Sequence, residues 1–146
     1  EIMKDNEVII KSKKLDIKLD IEKDSESILC DCKKVKKVLE VLMTNAMHYS
    51  PETGGKIEVV FRKKSVEGGN QLDISISDNG MGISNEEQRY IFEKFFRGEE
   101  AKKISPNGFG LGLFIVRAFA RAHGGDAHFE SAGRGKGSKF YFTIRV

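Results

Sequence analysis

Residues 33–49, KKVKKVLEVLMTNAMHY, decide the fold because their apolar side chains recur at the spacing of a helix with one buried face. That face is made by Val35, Val38, Leu39, Leu42, Met43 and Ala46. Asp31 is placed to cap the start of the helix, and Pro51 prevents its continuation. The pattern predicts one long amphipathic helix.

Strand patterns surround this helix. Residues 15–21 alternate apolar and polar side chains, and further strands are predicted at 56–62, 71–77, 126–131 and 139–145. The strands 56–62 and 71–77 are joined through GGN at 68–70. The order of elements predicts an α/β (α+β) sandwich, a mixed sheet covered on one face by about three helices.

Three more helices are predicted. Residues 2–13 form a short one, and residues 111–123 form an amphipathic helix that two glycines end. Ser84 stands three residues before Glu87, the spacing of a capping box, which predicts a helix from 84 to about 97. Residues 98–109 have no periodicity and are predicted to be a mobile loop, open to proteases without a ligand.

Composition indicates one domain. The 146 residues are 39% hydrophobic and 32% charged, which suits a single globular core. The 25 basic and 22 acidic residues are interleaved, so we expect neither a nucleic-acid partner nor direct membrane contact. The two cysteines cannot complete a zinc site and are expected to be reduced. Because the chain opens on a glutamate, we expect a fragment of a longer protein.

Residues 107–116, NGFGLGLFIV, place three glycines directly before an apolar helix. Glycine in a helix costs about 1 kcal/mol relative to alanine, so the three need a reason beyond folding. A dinucleotide fingerprint and a P-loop both fail, since no strand leads directly into the segment and no Gly-Lys-Ser/Thr occurs. A phosphate site at the helix start and a flexible entry loop both remain open.

Two other features bear on a ligand. Asp78 begins DNGMGI at the end of a predicted strand, where two glycines allow a sharp turn close to a ligand, although such a segment is often only a turn. Asn45 lies near the edge of the buried helix face, where a polar side chain needs a partner or a metal. A simple helix-edge amide is the alternative for Asn45.

Six segments carry a family resemblance over nearly the whole chain. They are TNAMHYSP (44–51), DNGMGI (78–83), IFEKFFR (91–97), GFGLGLFIV (108–116), HGG (123–125) and GKGSKFYF (135–142). In this order they resemble the boxes of the catalytic ATP-binding domain of a bacterial sensor histidine kinase, in the ATPase superfamily of gyrase, the heat-shock chaperone and MutL. The resemblance implies a Bergerat-type fold with ATP between the long helix and a lid loop at about 98–110.

The resemblance also implies residue roles. Asn45 would give a side-chain oxygen to Mg²⁺, and Asp78 would accept a hydrogen bond from the adenine amino group. Arg97 would reach the γ-phosphate, as a catalytic residue together with Asn45. Around the base it implies Tyr49, Gly80, Gly82, Ile83 and Ser138, with Tyr49 as plain core the alternative. Near the phosphates it implies His48, Gly108, Gly110, Leu111, Gly112 and Leu113, with a solvated His48 the alternative.

Position 41 departs from the pattern. Relatives in the superfamily carry a polar residue four positions before the metal-binding asparagine, and this chain has Val41. The missing water-activating group favours transfer of the γ-phosphoryl to a histidine on a separate helical dimerisation domain, with a response regulator downstream. The alternatives are a degenerate nucleotide-binding module and an ATP hydrolase, which Val41 disfavours. The implied setting is a cytoplasmic domain of a membrane-anchored parent protein.

Overall fold

A five-stranded mixed sheet forms the scaffold of the computed structural model, which describes residues 1–22 and 30–146. Its strand order is β1-β2-β3-β5-β4, with β1 parallel to β2 and the other neighbours antiparallel. The strands are β1 (Asp16–Ile21), β2 (Lys56–Val66), β3 (Gly69–Asp78), β4 (Ala127–Glu130) and β5 (Ser138–Arg145). The predicted mixed sheet is confirmed.

Six helices are present in the described residues: α1 (Ile2–Asp5), α2 (Glu7–Ser12), α3 (Cys32–Tyr49), α4 (Asn85–Gln88), α5 (Glu99–Ile104) and α6 (Gly112–Ala122). The two long helices, α3 and α6, bury their apolar stripes against one face of the sheet. Residues of β3 and β5 that pair across the sheet share this face, as Ile74 and Phe142 do. The core therefore lies between these two helices and the sheet.

Local signals set the ends of the long helices as expected. The Asp31 side chain accepts a hydrogen bond from the Lys34 amide at 3.2 Å, so Asp31 caps α3. The helix ends at Tyr49, two residues before Pro51. Helix α6 begins and ends within one residue of its predicted bounds. Both amphipathic predictions are confirmed.

Three sequence-based expectations were wrong in detail. The helix predicted from 84 to 97 spans only Asn85–Gln88, and turns follow it. It cannot continue to 97, because Phe95 adopts a φ of 63° and its amide bonds to the Gly110 carbonyl at 2.9 Å. The helix predicted at 2–13 is divided at Asn6, whose side chain bonds to the Ile2 carbonyl. The stretch 98–109, predicted to be a loop, contains α5, and its predicted mobility stays a prediction.

The β2–β3 hairpin is longer than its sequence pattern indicated. The strands continue to the pair Val66 and Gly69, so residues 67–68 make the turn.

No helix in the described residues is long and apolar enough to cross a membrane. Cys30 and Cys32 are both free thiols.

Candidate functional site

A cavity of about 120 Å³ lies between α3, the end of β3 and the start of the lid, the name used below for residues 98–110. Its walls are mostly apolar, with a small number of polar groups, which is the usual character of a small-molecule site. Eight of the predicted site residues line the cavity: Asn45, Tyr49, Asp78, Gly82, Ile83, Arg97, Leu113 and Ser138. The fold thus brings together residues from five of the six quoted segments, and HGG (123–125) lies outside the wall.

The Asp78 carboxylate is the fixed polar group of this cavity. Strands β3 and β5 end side by side here, so Ser138 lies opposite Asp78 and its hydroxyl donates to Oδ2 at 2.6 Å. The Gly80 amide donates to Oδ1 at 2.8 Å. Burial raises the pKa of Asp78, and these hydrogen bonds offset part of that rise. The result is an oriented acceptor in an apolar wall.

Two glycines after Asp78 are required by close packing. A Cβ at Gly80 would lie 2.2 Å from the Tyr49 carbonyl oxygen, and one at Gly82, where φ is 64°, would lie 2.1 Å from the Gly133 oxygen. The Gly135 amide also bonds to the Met81 carbonyl at 2.7 Å. These contacts lock residues 78–83 to the turn 131–137, and we name the two segments together the Asp78 corner.

Helix α3 presents two of the predicted ligand residues to the cavity. Tyr49 forms part of the wall, and burial raises the pKa of its hydroxyl. Asn45 lines both this cavity and an open cleft beside Val41 and Gly112, and within residues 1–22 and 30–146 its amide has no hydrogen-bond partner. An amide oxygen is therefore available where the two spaces meet.

His48 lies outside the cavity wall, one helix position before Tyr49. Burial lowers the pKa of its imidazole, and the neighbouring Lys13 charge lowers it further. The Lys13 ammonium donates to the carbonyls of His48 and Ser50 at 2.8 and 3.0 Å, which binds α2 to the end of α3. These contacts place His48 near the site without giving it a contact with the cavity.

The glycines that precede α6 have individual packing reasons. At Gly110, where φ is 68°, a Cβ would lie 2.7 Å from the backbone of Phe95. At Gly112 a Cβ would lie 2.9 Å from Cγ1 of Val41 on α3. At Gly108 a Cβ would lie 3.1 Å from Cζ of the Arg97 guanidinium. The predicted phosphate role of their amides stays a prediction, as does that of Leu111, the residue before α6.

Arg97 lines the cavity, yet its guanidinium donates to the lid. Nη1 bonds to the carbonyls of Pro106 and Gly108 at 3.1 and 3.0 Å. Nη2 bonds to the carbonyl of Ala101 at 3.0 Å and to that of Ser105. The terminal nitrogens therefore serve backbone carbonyls in this conformation, and a phosphate contact would require an exchange of partners.

Sequence reasoning missed several residues of the wall: Ala46, Met81, Glu87, Ile91, Phe96, Gly98, Ala101 and Phe140. Most are apolar, and although five of them lie within the quoted segments, an apolar side chain there does not by itself distinguish a cavity wall from a core. Glu87 had a signal in its spacing from Ser84, and the two side chains do pair, Oγ to Oε2 at 2.9 Å. The pattern was assigned to a helix start alone, so the contact of Glu87 with the lid was not predicted.

Comparison with known proteins identifies the family. Residues 30–146 match the family described as histidine kinase-, DNA gyrase B-, and HSP90-like ATPase. The chain is 35% identical over 134 residues to the adaptive-response sensory kinase SasA of Synechocystis, covering 92% of this chain and 33% of that protein. It is 37% identical over 114 residues to the sensor histidine kinase WalK of Bacillus subtilis, covering 78% and 18%.

Solved structures agree with this result. The catalytic domain of histidine kinase ThkA superposes with a TM-score of 0.79 at 26% identity, covering 99% of this chain and 87% of that one. The chain belongs to the histidine kinase-, gyrase B- and HSP90-like ATPase family. Within that family it is a histidine kinase catalytic ATP-binding domain. It spans about a third of the length of SasA and less than a fifth of WalK.

Proposed function

We propose that the chain binds Mg-ATP with adenine in the cavity and delivers the γ-phosphoryl to a histidine on a separate helical dimerisation and phosphoacceptor domain. The observation that carries the proposal is the Asp78 carboxylate, oriented by Ser138 and Gly80 in an apolar wall. An oriented acceptor in such a wall suits the exocyclic amino group of adenine and disfavours the carbonyl of guanine at that place. Tyr49 supplies a flat apolar surface beside it.

Asn45 fits a magnesium ion held mainly by the nucleotide. Mg²⁺ at phosphate sites takes one or two protein oxygens and completes its shell with phosphates and water. The described residues contain no group of three His, Cys, Asp or Glu side chains that could hold a metal alone. The Asn45 amide, which has no hydrogen-bond partner within residues 1–22 and 30–146, would supply the one protein oxygen, and the ion would neutralise phosphate charge.

Transfer to an outside histidine agrees with the histidines of this chain. His123 bonds through Nδ1 to the Phe119 carbonyl at 2.9 Å, and His128 stacks on Tyr141 with ring centroids 4.5 Å apart. Neither lines the cavity, and His48 does not either. The acceptor would therefore come from another domain, and a response regulator would receive the phosphoryl next. The work of this domain would be positioning and charge neutralisation.

A cytoplasmic setting is part of the proposal. ATP and the free thiols Cys30 and Cys32 both suit a reducing compartment. Membrane anchoring of a parent protein stays a prediction that residues upstream of Glu1 would test.

One observation favours a second candidate function, a nucleotide-binding module without transfer. Val41 packs against Gly112 and brings no polar group to the cleft beside Asn45. Val41 also disfavours an ATP hydrolase, because a valine side chain cannot activate water. The two candidates differ in what happens to bound ATP.

Calorimetry and γ-phosphate labelling test the proposal. The chain should bind Mg-ATP, release phosphate barely, and label itself with no γ-phosphate, whereas an added dimerisation domain should acquire an acid-labile, alkali-stable phosphohistidine. Asn45→Ala should abolish Mg²⁺-dependent binding with the fold intact, and Cys32→Ala, an exposed position on the same helix, is its control. Unchanged affinity in Asn45→Ala would reject the metal role.

The labelling outcomes separate the candidates. Tight binding without transfer to any supplied acceptor would favour the binding module, and Val41→Asn is then the substitution to try. Rapid multiple-turnover phosphate release would favour the hydrolase.

A further inference from the structure

Helix α2 is joined to the end of α3 by one lysine, Lys13. Its ammonium donates to the carbonyls of His48 and Ser50 at 2.8 and 3.0 Å. The Lys13 side chain is 12% exposed, and a carboxylate oxygen of Glu52 lies 3.8 Å from it on a side chain that is 92% exposed. A pair with so exposed a partner contributes little. The lysine charge is therefore held mainly by backbone carbonyls.

The place of these carbonyls explains why a cation is needed there. The last carbonyls of a helix have no partner inside it, and the helix end carries a partial negative charge. In α3 the Tyr49 carbonyl accepts from the Met81 amide at 3.0 Å. The carbonyls before and after it, those of His48 and Ser50, accept from the ammonium. Lys13 thus caps the end of α3 with a positive charge and two donors.

Tyr49 is the residue that this cap surrounds. It is the last residue of α3, and it forms part of the cavity wall. Helix ends fray unless groups outside the helix hold them. Met81 of the Asp78 corner holds Tyr49 from one direction, and Lys13 holds its two neighbours from the other. The backbone that carries the Tyr49 ring is therefore fixed from two directions, one of which is α2.

We propose that Lys13 is a positioning residue of the nucleotide site: its ammonium fixes the end of α3 and so keeps the Tyr49 ring in place beside the Asp78 acceptor. Lys13 does not line the cavity, so it acts through Tyr49. The family match begins at residue 30, and Lys13 therefore belongs to a segment outside the matched residues. The role in binding rests on the proposed function, whereas the cap on α3 does not.

Lys13→Met tests this role, because methionine keeps an unbranched apolar stem and removes the ammonium. In calorimetry, the dissociation constants for adenosine and for Mg-ATP should both rise about tenfold, since the lost support is on the base side. Lys14→Met, the same change on an exposed neighbour, should change neither by more than about twofold. A loss of affinity for Mg-ATP alone would place the effect at the phosphates and overturn the proposal.

A double-mutant cycle separates positioning from a purely structural role. In a chain that carries Tyr49→Ala, Lys13→Met should raise the dissociation constant for Mg-ATP by less than about twofold, because the ring that Lys13 positions is absent. The midpoint of urea unfolding should fall in both backgrounds, because the His48 and Ser50 carbonyls lose their donor in both. Equal losses of affinity with and without the ring would leave Lys13 a structural role alone.

The wild-type chain provides a measurement that needs no variant. A buried ammonium that is hydrogen-bonded exchanges its protons slowly, so a proton–nitrogen correlation spectrum of the lysine side chains at neutral pH should show Lys13 and not the exposed Lys14. Because coupling is reciprocal, Mg-ATP should slow this exchange by about the tenfold factor that Lys13→Met costs in affinity.

The outcomes of that measurement are distinct. Rapid exchange of the Lys13 ammonium would overturn the cap, and exchange that bound Mg-ATP leaves unchanged would overturn the positioning role. Absence of binding of both ligands to the wild-type chain, with the Lys13 ammonium still protected, would reject the proposed function and leave the cap standing.

Discussion

The Asp78 corner and the lid border the same cavity, but they are held in opposite ways. In the corner, backbone meets backbone: Gly137 donates to the Gly80 carbonyl at 3.1 Å, and a Cβ at Gly137 would lie 2.1 Å from the Asp78 carbonyl oxygen. In the lid, a short helix without buried residues depends on two charged side chains, Glu87 and Arg97. Side chains can exchange partners at little cost, whereas packed backbone cannot.

This difference assigns separate tasks to the two regions. A rigid corner keeps the Asp78 acceptor oriented whether or not a base is bound, which favours discrimination. Under the proposed function, residues 98–110, which side-chain contacts hold, are expected to move more readily than the corner. Substitutions in the corner should therefore change stability, and substitutions in the lid should change rates.

The largest effect is expected at Gly82. Alanine there combines a positive φ with a Cβ 2.1 Å from the Gly133 oxygen, and should lower the free energy of unfolding in urea by about 2–4 kcal/mol. Gly135→Ala is the matched control, because Gly135 has a similar φ of 71° and open space around its Cβ. It should cost about 1 kcal/mol. Equal losses at the two sites would contradict a tightly packed corner.

Asp78→Asn should separate recognition from stability. Preference for adenine over guanine nucleotides should fall by roughly tenfold or more, because a pure acceptor becomes a mixed donor and acceptor. Because burial raises the pKa of Asp78, its contribution to stability is present at acid pH and is lost as pH rises through the folded-state pKa. The variant should thus be more resistant to urea than the wild-type chain at pH 7. Retained discrimination would remove Asp78 from the base site.

Arg97 should show whether its phosphate role is separate from its lid role. If it also reaches the γ-phosphate, Arg97→Ala should slow transfer to the acceptor domain about tenfold more than it weakens ATP binding. Arg97→Lys keeps the charge but cannot bind four carbonyls, so it should loosen the lid and retain more transfer. Equal losses of ATP binding and of phosphoryl transfer would reject the γ-phosphate role and leave Arg97 only its contacts with the lid.

The smallest effect is expected at Lys102. Its bond to Glu99 at 2.7 Å is exposed, so Lys102→Ala should change lid amide exchange by less than about twofold. Hydrogen exchange measured on the same samples at high and at low salt concentration would reveal a larger contribution of this ion pair, because salt screens surface charges. An increase in lid amide exchange of about tenfold in Lys102→Ala would show that surface ion pairs hold the lid.

The sequence was sufficient where periodicity and packing agree. Helix α3, helix α6 and the alternating strands follow from apolar spacing, because burial of one face decides them. It failed for residues 89–104, where Phe92 and Phe96 repeat at a helical interval but contacts with Gly110 and Arg97 decide the path. Of the site, Asp78 and its glycines had a motif, whereas Glu87 acts through a residue twelve positions away.

The contact between Val41 and Gly112 has a consequence for the evolution of this sequence. The methyl of Val41 occupies the volume that a side chain at position 112 would need. The two positions are therefore expected to vary as a pair: glycine at 112 where residue 41 is as large as valine, and a larger residue at 112 only where residue 41 is reduced to alanine or glycine. In an aligned set of relatives, that correlation in residue volume would record the close approach of α3 and α6.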